Sequence, residues 1–263
     1  MDISIAPRNL LAAGEAAPFS VLNAHSSVPL LLVCDHASRR LPLALGDLGV
    51  AASVLGSHLA CDFGAARVTE LLAATLQATA LLGGYSRLVV DLNRDLRTDD
   101  AFLTYSDGVT IFGNRGLSDA QKHARAEALH HPYHAELRRQ LQRVSAQRPA
   151  ALVSIHSFTP IFEGQRRPWE IGILWNEDTA TAQLFLGELR ARGYVVGDNQ
   201  PYSGKQLKGY TMSTHAEGSN RPHVLVELRQ DLLQQAEWTA RVAADLGAII
   251  QQMPALQLGE PGS

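Results

Sequence analysis

Cys34 and Cys61 are the only cysteines in the chain, too few for a disulfide framework or a zinc ribbon, which fits a reduced, cytoplasmic setting. No stretch approaches the roughly 18 consecutive apolar residues of a membrane span. The opening MDISIAPRNL has neither the basic start nor the apolar run of a secretory signal. Lysine is scarce beside arginine, the net charge is −3, and no basic stripe interleaved with aromatics occurs. Neither a membrane nor a nucleic acid is therefore an expected partner. HExxH and G-x-S-x-G are both missing, which removes the simplest zincin reading and leaves a serine hydrolase with Ser38 or Ser157 as a weak one. There is no internal repeat and no linker dividing two cores.

The 263 residues are 46% hydrophobic, enough for one substantial core. Residues 1–28 read as an N-terminal arm with a short strand at Phe19–Leu22, and 253–263 as a tail holding two prolines and two glycines. Between them, 29–252 alternate. Apolar runs at 29–33, 85–92, 150–155, 171–175, 194–196 and 223–228 predict strands. Helical spacing appears over 60–77, 118–147 (interrupted at His130-His131-Pro132), 179–192 before Gly193, and 232–253. The expected fold is α/β: a single domain with a mainly parallel, mixed sheet flanked by helices. Residues 98–118 and 197–220 read as long functional loops.

Several of these strands end in chemistry. Pro29–Val33 runs into Cys34-Asp35-His36, and Ala150–Ile155 runs into His156-Ser157. Strand C-termini are where open α/β sheets bind ligands. Two imidazoles there are plausible zinc ligands if a third protein group completes the set. Asp62 is the first choice for that group, set against an ordinary role as a helix N-cap. Asp35 comes next, as a ligand or as an orienting partner, because neighbouring residues of an extended segment face opposite ways.

Around YSRLVVDLNR, Arg87, Asn93 and Arg94 look like a clamp for a carboxylate, against the plainer reading of an Asp–Arg pair at a strand end. Glu227 sits among apolar residues in HVLVELR, where a carboxylate is costly unless it is paired or used, and beside a metal it would serve as a general base. His215 and Lys208 on the second loop either line a pocket or are solvated. Among His123, His130, His131 and His134, the last is the best placed to reach the site. Cys34 and Cys61, among apolar neighbours, are expected to be inert.

Taken together, VCDHASRRLP, HLACDFGA, YSRLVVDLNR, HPYHAEL, SIHSFTPIFEG, GYTMSTHAEG and VLVELRQDL resemble, in order, the N-formylglutamate amidohydrolase family over about residues 29–235. That family is similar to the zinc carboxypeptidase-like hydrolases, including aspartoacylase. The resemblance implies a zinc exopeptidase-like fold and a single zinc held by His36 and His156. It also implies Glu227 as base, with Arg87, Asn93 and Arg94 on the substrate, Arg94 also on the transition state. Related peptidases carry their acidic ligand three residues after the first histidine, where this chain has Arg39, so Asp62 is taken as the third ligand. The implied reaction is hydrolysis of an N-acyl amino acid, N-formyl-L-glutamate if the substrate is the namesake, with His134 and His215 as further substrate contacts. Histidine degradation is the setting it implies. Two rival readings are a zinc peptidase acting on peptide or peptidoglycan ends and a dicarboxylate-binding protein without turnover. Peptide cleavage would mark the first, and binding without metal the second.

Overall fold

The computed structural model describes residues 10–205 and 209–257; Lys208, the first nine residues of the arm and the last six of the tail lie outside them. Seven strands form one sheet: β1 (Phe19–Leu22), β2 (Leu30–Cys34), β3 (Thr79–Gly83), β4 (Ala151–Phe158), β5 (Ile171–Leu174), β6 (Val196–Asp198) and β7 (His223–Arg229). Their spatial order is β1-β3-β2-β4-β7-β5-β6. The four central strands β3, β2, β4 and β7 are parallel, β1 is antiparallel to β3, and β5 is antiparallel to β7. The expected single-domain α/β fold with a mainly parallel, mixed sheet is what forms.

Both faces of the sheet are covered, which is why its strands read as continuous apolar runs. Leu30, Leu32, Val153, Ile155, Val224 and Val226 face one side. There, α1 (Ala65–Leu76), α4 (Thr179–Ala191) and α6 (Ala236–Ile250) bury their apolar stripes. Leu31, Val33, Leu152 and Leu225 face the other side, against α3 (His131–Val144) and the short α5 (Tyr210–His215). The α2 helix (Asp119–Arg125) continues through one π turn at Ala126–His130 into α3, with Pro132 in the first turn, where its missing N–H costs no bond.

The largest departure from the sequence reading is at 85–92, which is not a strand. The sheet position between β1 and β2 belongs to Thr79–Gly83, directly after α1. Leu88, Val89 and Val90 are buried in two satellite clusters instead, with Phe102 and Leu129 around Val89 and Val90, and Ile111 and Ala60 around Leu88. Their carbonyls find partners off the sheet: Asn114 Nδ2 donates to Leu88 O at 2.8 Å, and Arg125 Nη1 donates to Val89 O at 3.0 Å. The 98–118 segment is packed down over them, with Ala101, Phe102 and Ile111 buried and a two-residue hairpin pairing Tyr105–Ser106 with Val109–Thr110. At the end of the chain, Met253 and Ala255, expected in the tail, are buried against the core.

Candidate metal centre and active site

The parallel strands deliver their C-terminal residues to one corner. On β4 and β7, His156 and Glu227 are register partners; Asp35 and His36 follow β2. Asp62 arrives from the turn before α1. That turn is closed by Gly64 at a φ of +80°, a left-handed conformation that glycine adopts at little cost. Gly64, not Asp62, therefore caps α1, and the Asp62 carboxylate is left to turn inward.

His36 Nδ1 is 3.4 Å and His156 Nδ1 2.8 Å from Asp62 Oδ2. One ligand atom from each of these three buried residues lies within 4.8 Å of the others. Each imidazole is oriented from behind by a second carboxylate: His36 Nε2 is 2.7 Å from Asp91 Oδ1, and His156 Nε2 is 3.1 Å from Asp35 Oδ2. These outer bonds put a hydrogen on Nε2 of each ring and point both Nδ1 atoms at the Asp62 carboxylate, to which they donate in the metal-free protein and beside which they would become ligands once deprotonated. Asp35 is itself held by the hydroxyls of Tyr133 (2.7 Å) and Thr211 (2.9 Å). So Asp35 orients a histidine as expected, but the one on the neighbouring strand rather than the one beside it in sequence. Asp91 was not singled out for this role; its only signal was a carboxylate between Val90 and Leu92 in an otherwise apolar run.

The charge balance says what the triangle accommodates. Asp35, Asp62 and Asp91 are all buried, and Arg87 is the guanidinium among them. Three carboxylates against one guanidinium leave two negative charges. Burial resists ionisation of all three, yet His156 holds Asp35 down to about 2, and His36 with His156 holds Asp62 far below the usual carboxylate range. Burial likewise opposes charge on His156, but Asp35 and Asp62 raise its pKa well above the ordinary value. A divalent cation in place of the two imidazole protons satisfies the same carboxylates. The donor set of two imidazole nitrogens and one carboxylate oxygen fits zinc with a position left for substrate.

Glu227 faces this centre. It is 7% exposed, its Oε2 has no hydrogen-bond partner among the described residues, and burial pushes its pKa up to about 7, against the pull of His156. The arginines are more engaged than a free clamp would be. Arg87 Nε and Nη2 both donate to Asp91 Oδ2 (3.0 and 2.6 Å), with Nη1 3.5 Å from Asp62 Oδ1. Arg94 Nε pairs with Asp100 at 2.7 Å. Asn93 Oδ1 accepts from Thr211 N at 3.0 Å. Gly209 lets α5 settle on Asn93, since a Cβ there would come within 2.9 Å of the amide. All three residues border a cavity of about 320 Å³ that also holds His36, Asp62, His156 and Glu227.

His134 and His215 lie behind this cavity wall rather than on it. His134 Nε2 donates to Leu92 O at 2.8 Å, and its Nδ1 takes the hydrogen of His215 Nε2 at 3.0 Å. The two rings are stacked. The pair ties the DLN segment to α3 and α5. Cys34 is fully buried, and burial raises its thiol pKa. Among the described residues, no helix is long and apolar enough to cross a membrane.

The sequence model of the N-formylglutamate amidohydrolase family matches residues 28–234. The chain belongs to this family. A gene product of Agrobacterium tumefaciens of known structure is 34% identical, with a TM-score of 0.89 over 94% of this chain and 98% of that one. The N-formylglutamate amidohydrolase of Ralstonia eutropha shares the fold at 20% identity, with a TM-score of 0.64 over 90% of this chain and 97% of that one. No curated protein matches the chain. Membership makes it a hydrolase of amide bonds, and the expected resemblance holds over the span the motifs covered.

Proposed function

We propose that this family member is a metal-dependent hydrolase of N-acyl amino acids, with His36, Asp62 and His156 as ligands of a single zinc or similar divalent ion. The observation that carries the reading is an inward-facing Nδ1–Oδ2–Nδ1 triangle, set among three buried carboxylates of which Arg87 balances one. When bound there, such an ion supplies Lewis acidity, polarising the amide carbonyl and making water more acidic.

The protein's own groups supply the rest. The Glu227 carboxylate, on the cavity wall with a pKa near neutral, takes a proton from the attacking water and returns it to the departing amine nitrogen. Arg87 Nη1 faces the reacting carbonyl and supports the oxyanion, while Asp91 fixes the guanidinium plane. Asn93 Nδ2 and Arg94 take the substrate carboxylate. The His134–His215 pair holds the backbone that presents Asn93. N-formyl-L-glutamate, the family's namesake substrate, yields formate and glutamate by this route. The order of motifs and the buried acid–base groups favour this over a carboxylate-binding protein without turnover.

The test is metal content by mass spectrometry on untagged protein purified without chelator, beside His156→Ala, followed by a formate-release assay after zinc reconstitution. About one zinc per chain, lost in the variant, with formate released from N-formyl amino acids, is the expected result. A chain that takes up no zinc on reconstitution would overturn the metal assignment.

A further inference from the structure

The loop after β6 comes back over the sheet beside Glu227. On β5 the register partner of Glu227 is Gly172, and register partners carry their Cβ atoms on the same face. A Cβ at Gly172 would run into the Gln200 carbonyl and Pro201 Cδ. Glycine there lets the chain lie against the face that Glu227 occupies, and the next residue, Tyr202, becomes part of the cavity wall. The cavity is thus walled from two sides. The segment holding Arg87, Asn93 and Arg94 lies toward β2, where Asp91 meets His36, and Tyr202 lies toward β5, with β4 and β7 between them.

Arg167 holds Tyr202 in place. Its guanidinium is stacked between two rings, with Cζ 4.8 Å from the centroid of Tyr202 and 4.8 Å from that of Phe162. Phe162 belongs to a hairpin pairing Ile161–Phe162 with Gln165–Arg166, and it also lines the cavity. Arg167 Nη1 donates to Tyr202 Oη at 3.0 Å. A guanidinium only donates, so the phenol oxygen accepts there and keeps its own hydrogen to give. Among the described residues, none accepts that hydrogen. Burial and then Glu227 raise the phenol's pKa, so it stays protonated and remains a donor. Arg87 pairs with Asp91, and Arg94 with Asp100. Among the described residues Arg167 pairs with no carboxylate; besides the phenol its guanidinium reaches only the Thr159 carbonyl, at 3.5 Å.

We propose that Tyr202 is a specificity residue whose hydroxyl donates to the side-chain carboxylate of an N-acyl dicarboxylic amino acid, with Arg167 as the positioning residue that balances its charge. The α-carboxylate, two bonds from the amide nitrogen, stays with Asn93 and Arg94 on the segment that turns Arg87 toward the reacting carbonyl. The side-chain carboxylate, carried on methylenes, reaches the other wall. A cation with no protein carboxylate of its own suits an anion present throughout binding, so the contact acts on ground state and transition state alike. The reaction rests on the hydrolase reading above, while the carboxylate subsite rests on Tyr202 and Arg167 themselves.

The test measures kcat and KM of the zinc-loaded full chain on N-formyl-L-glutamate and on N-formyl-L-norvaline, which keeps the methylenes and lacks the side-chain carboxylate. The parent kcat/KM should favour the glutamate compound by about tenfold or more. Tyr202→Phe keeps the ring stack and removes only the hydroxyl. Its glutamate-to-norvaline ratio should fall at least about fivefold, through KM for the glutamate compound, with norvaline kinetics unchanged within about twofold. Arg167→Gln should lower the same ratio, and Arg167→Lys, which keeps the charge, should restore part of it. Equal parental rates on the two compounds, or a Tyr202→Phe that lowers both alike or neither, would overturn the assignment. If neither compound is hydrolysed, the hydrolase reading falls, and calorimetric titration of the same two compounds decides the subsite on its own. Tighter binding of the glutamate compound, lost in Tyr202→Phe, supports it; any other pattern overturns it.

Discussion

Replacing Glu227 by glutamine separates the chemistry of this residue from its cost to the fold. In the folded chain burial raises the carboxyl from its usual 4.5 to about 7. The folded state therefore binds the proton more tightly than the unfolded state. Stability from this group is complete below pH 4.5, declines as pH rises toward 7, and is fully lost above it. At about 1.4 kcal/mol per pKa unit, ionised Glu227 costs roughly 3 kcal/mol in metal-free protein at pH 8. Glutamine never ionises but leaves its own amide short of a partner, which returns about 1 kcal/mol of that. Metal-depleted Glu227→Gln should therefore be about 2 kcal/mol more stable than the parent at pH 8, and the gap should close by pH 5. Urea unfolding at the two pH values reads this directly. The zinc-loaded variant should retain its metal and lose about 10²- to 10⁴-fold in turnover. A variant less stable than the parent at pH 8, or one that still turns over at the parental rate, would refute the account of Glu227 as a destabilised base.

Other expectations follow from the same geometry. Asp35→Asn removes the acceptor behind His156, and zinc affinity measured by chelator competition should fall about 10- to 100-fold. Arg94→Ala should raise KM for N-formyl amino acids with a smaller effect on kcat, as expected for a group that binds ground state and transition state alike; an unchanged KM would remove Arg94 from substrate binding. Burial lowers His134 to about 3 and His215 to about 4, so both are neutral in the folded chain and protonated first in the unfolded one. At about 1.4 kcal/mol per pKa unit, the pair's contribution to stability should hold above pH 6.5 and fall by on the order of 6 kcal/mol as pH drops toward 4, with about half that drop in His215→Gln.

Much of the architecture was legible because four of the strands are short apolar runs with both faces covered, and such runs leave little ambiguity at 30–34, 151–158, 171–174 and 223–229. The misread strand at 85–92 shows where that signal stops. Leu88-Val89-Val90 is as apolar as any strand here, but Asn114 and Arg125 satisfy its carbonyls, a fact written more than twenty residues away. At the site, side-chain type singled out His36, Asp62, His156 and Glu227, which the structure brings to one cavity, because imidazoles and carboxylates at the ends of apolar runs need a reason to be there. What could not be read was pairing. Nothing in the sequence joins Asp91 to His36, or Asp35 to His156 across the sheet, and nothing shows that Arg94 meets Asp100 or that His134 turns to Leu92.

The hydroxyl of Thr211 reaches an aspartate 176 positions earlier in the chain, and Glu227 comes from β7, which slots between β4 and β5. During synthesis the ribosome releases both histidines and Asp62 long before either of these. A nascent or prematurely ended chain can thus display imidazoles and carboxylates without the base or the hydroxyl that steadies Asp35. With Glu227 as the proposed base, hydrolytic competence would be withheld until the final strand is inserted, and truncated products would be inert by construction rather than by quality control.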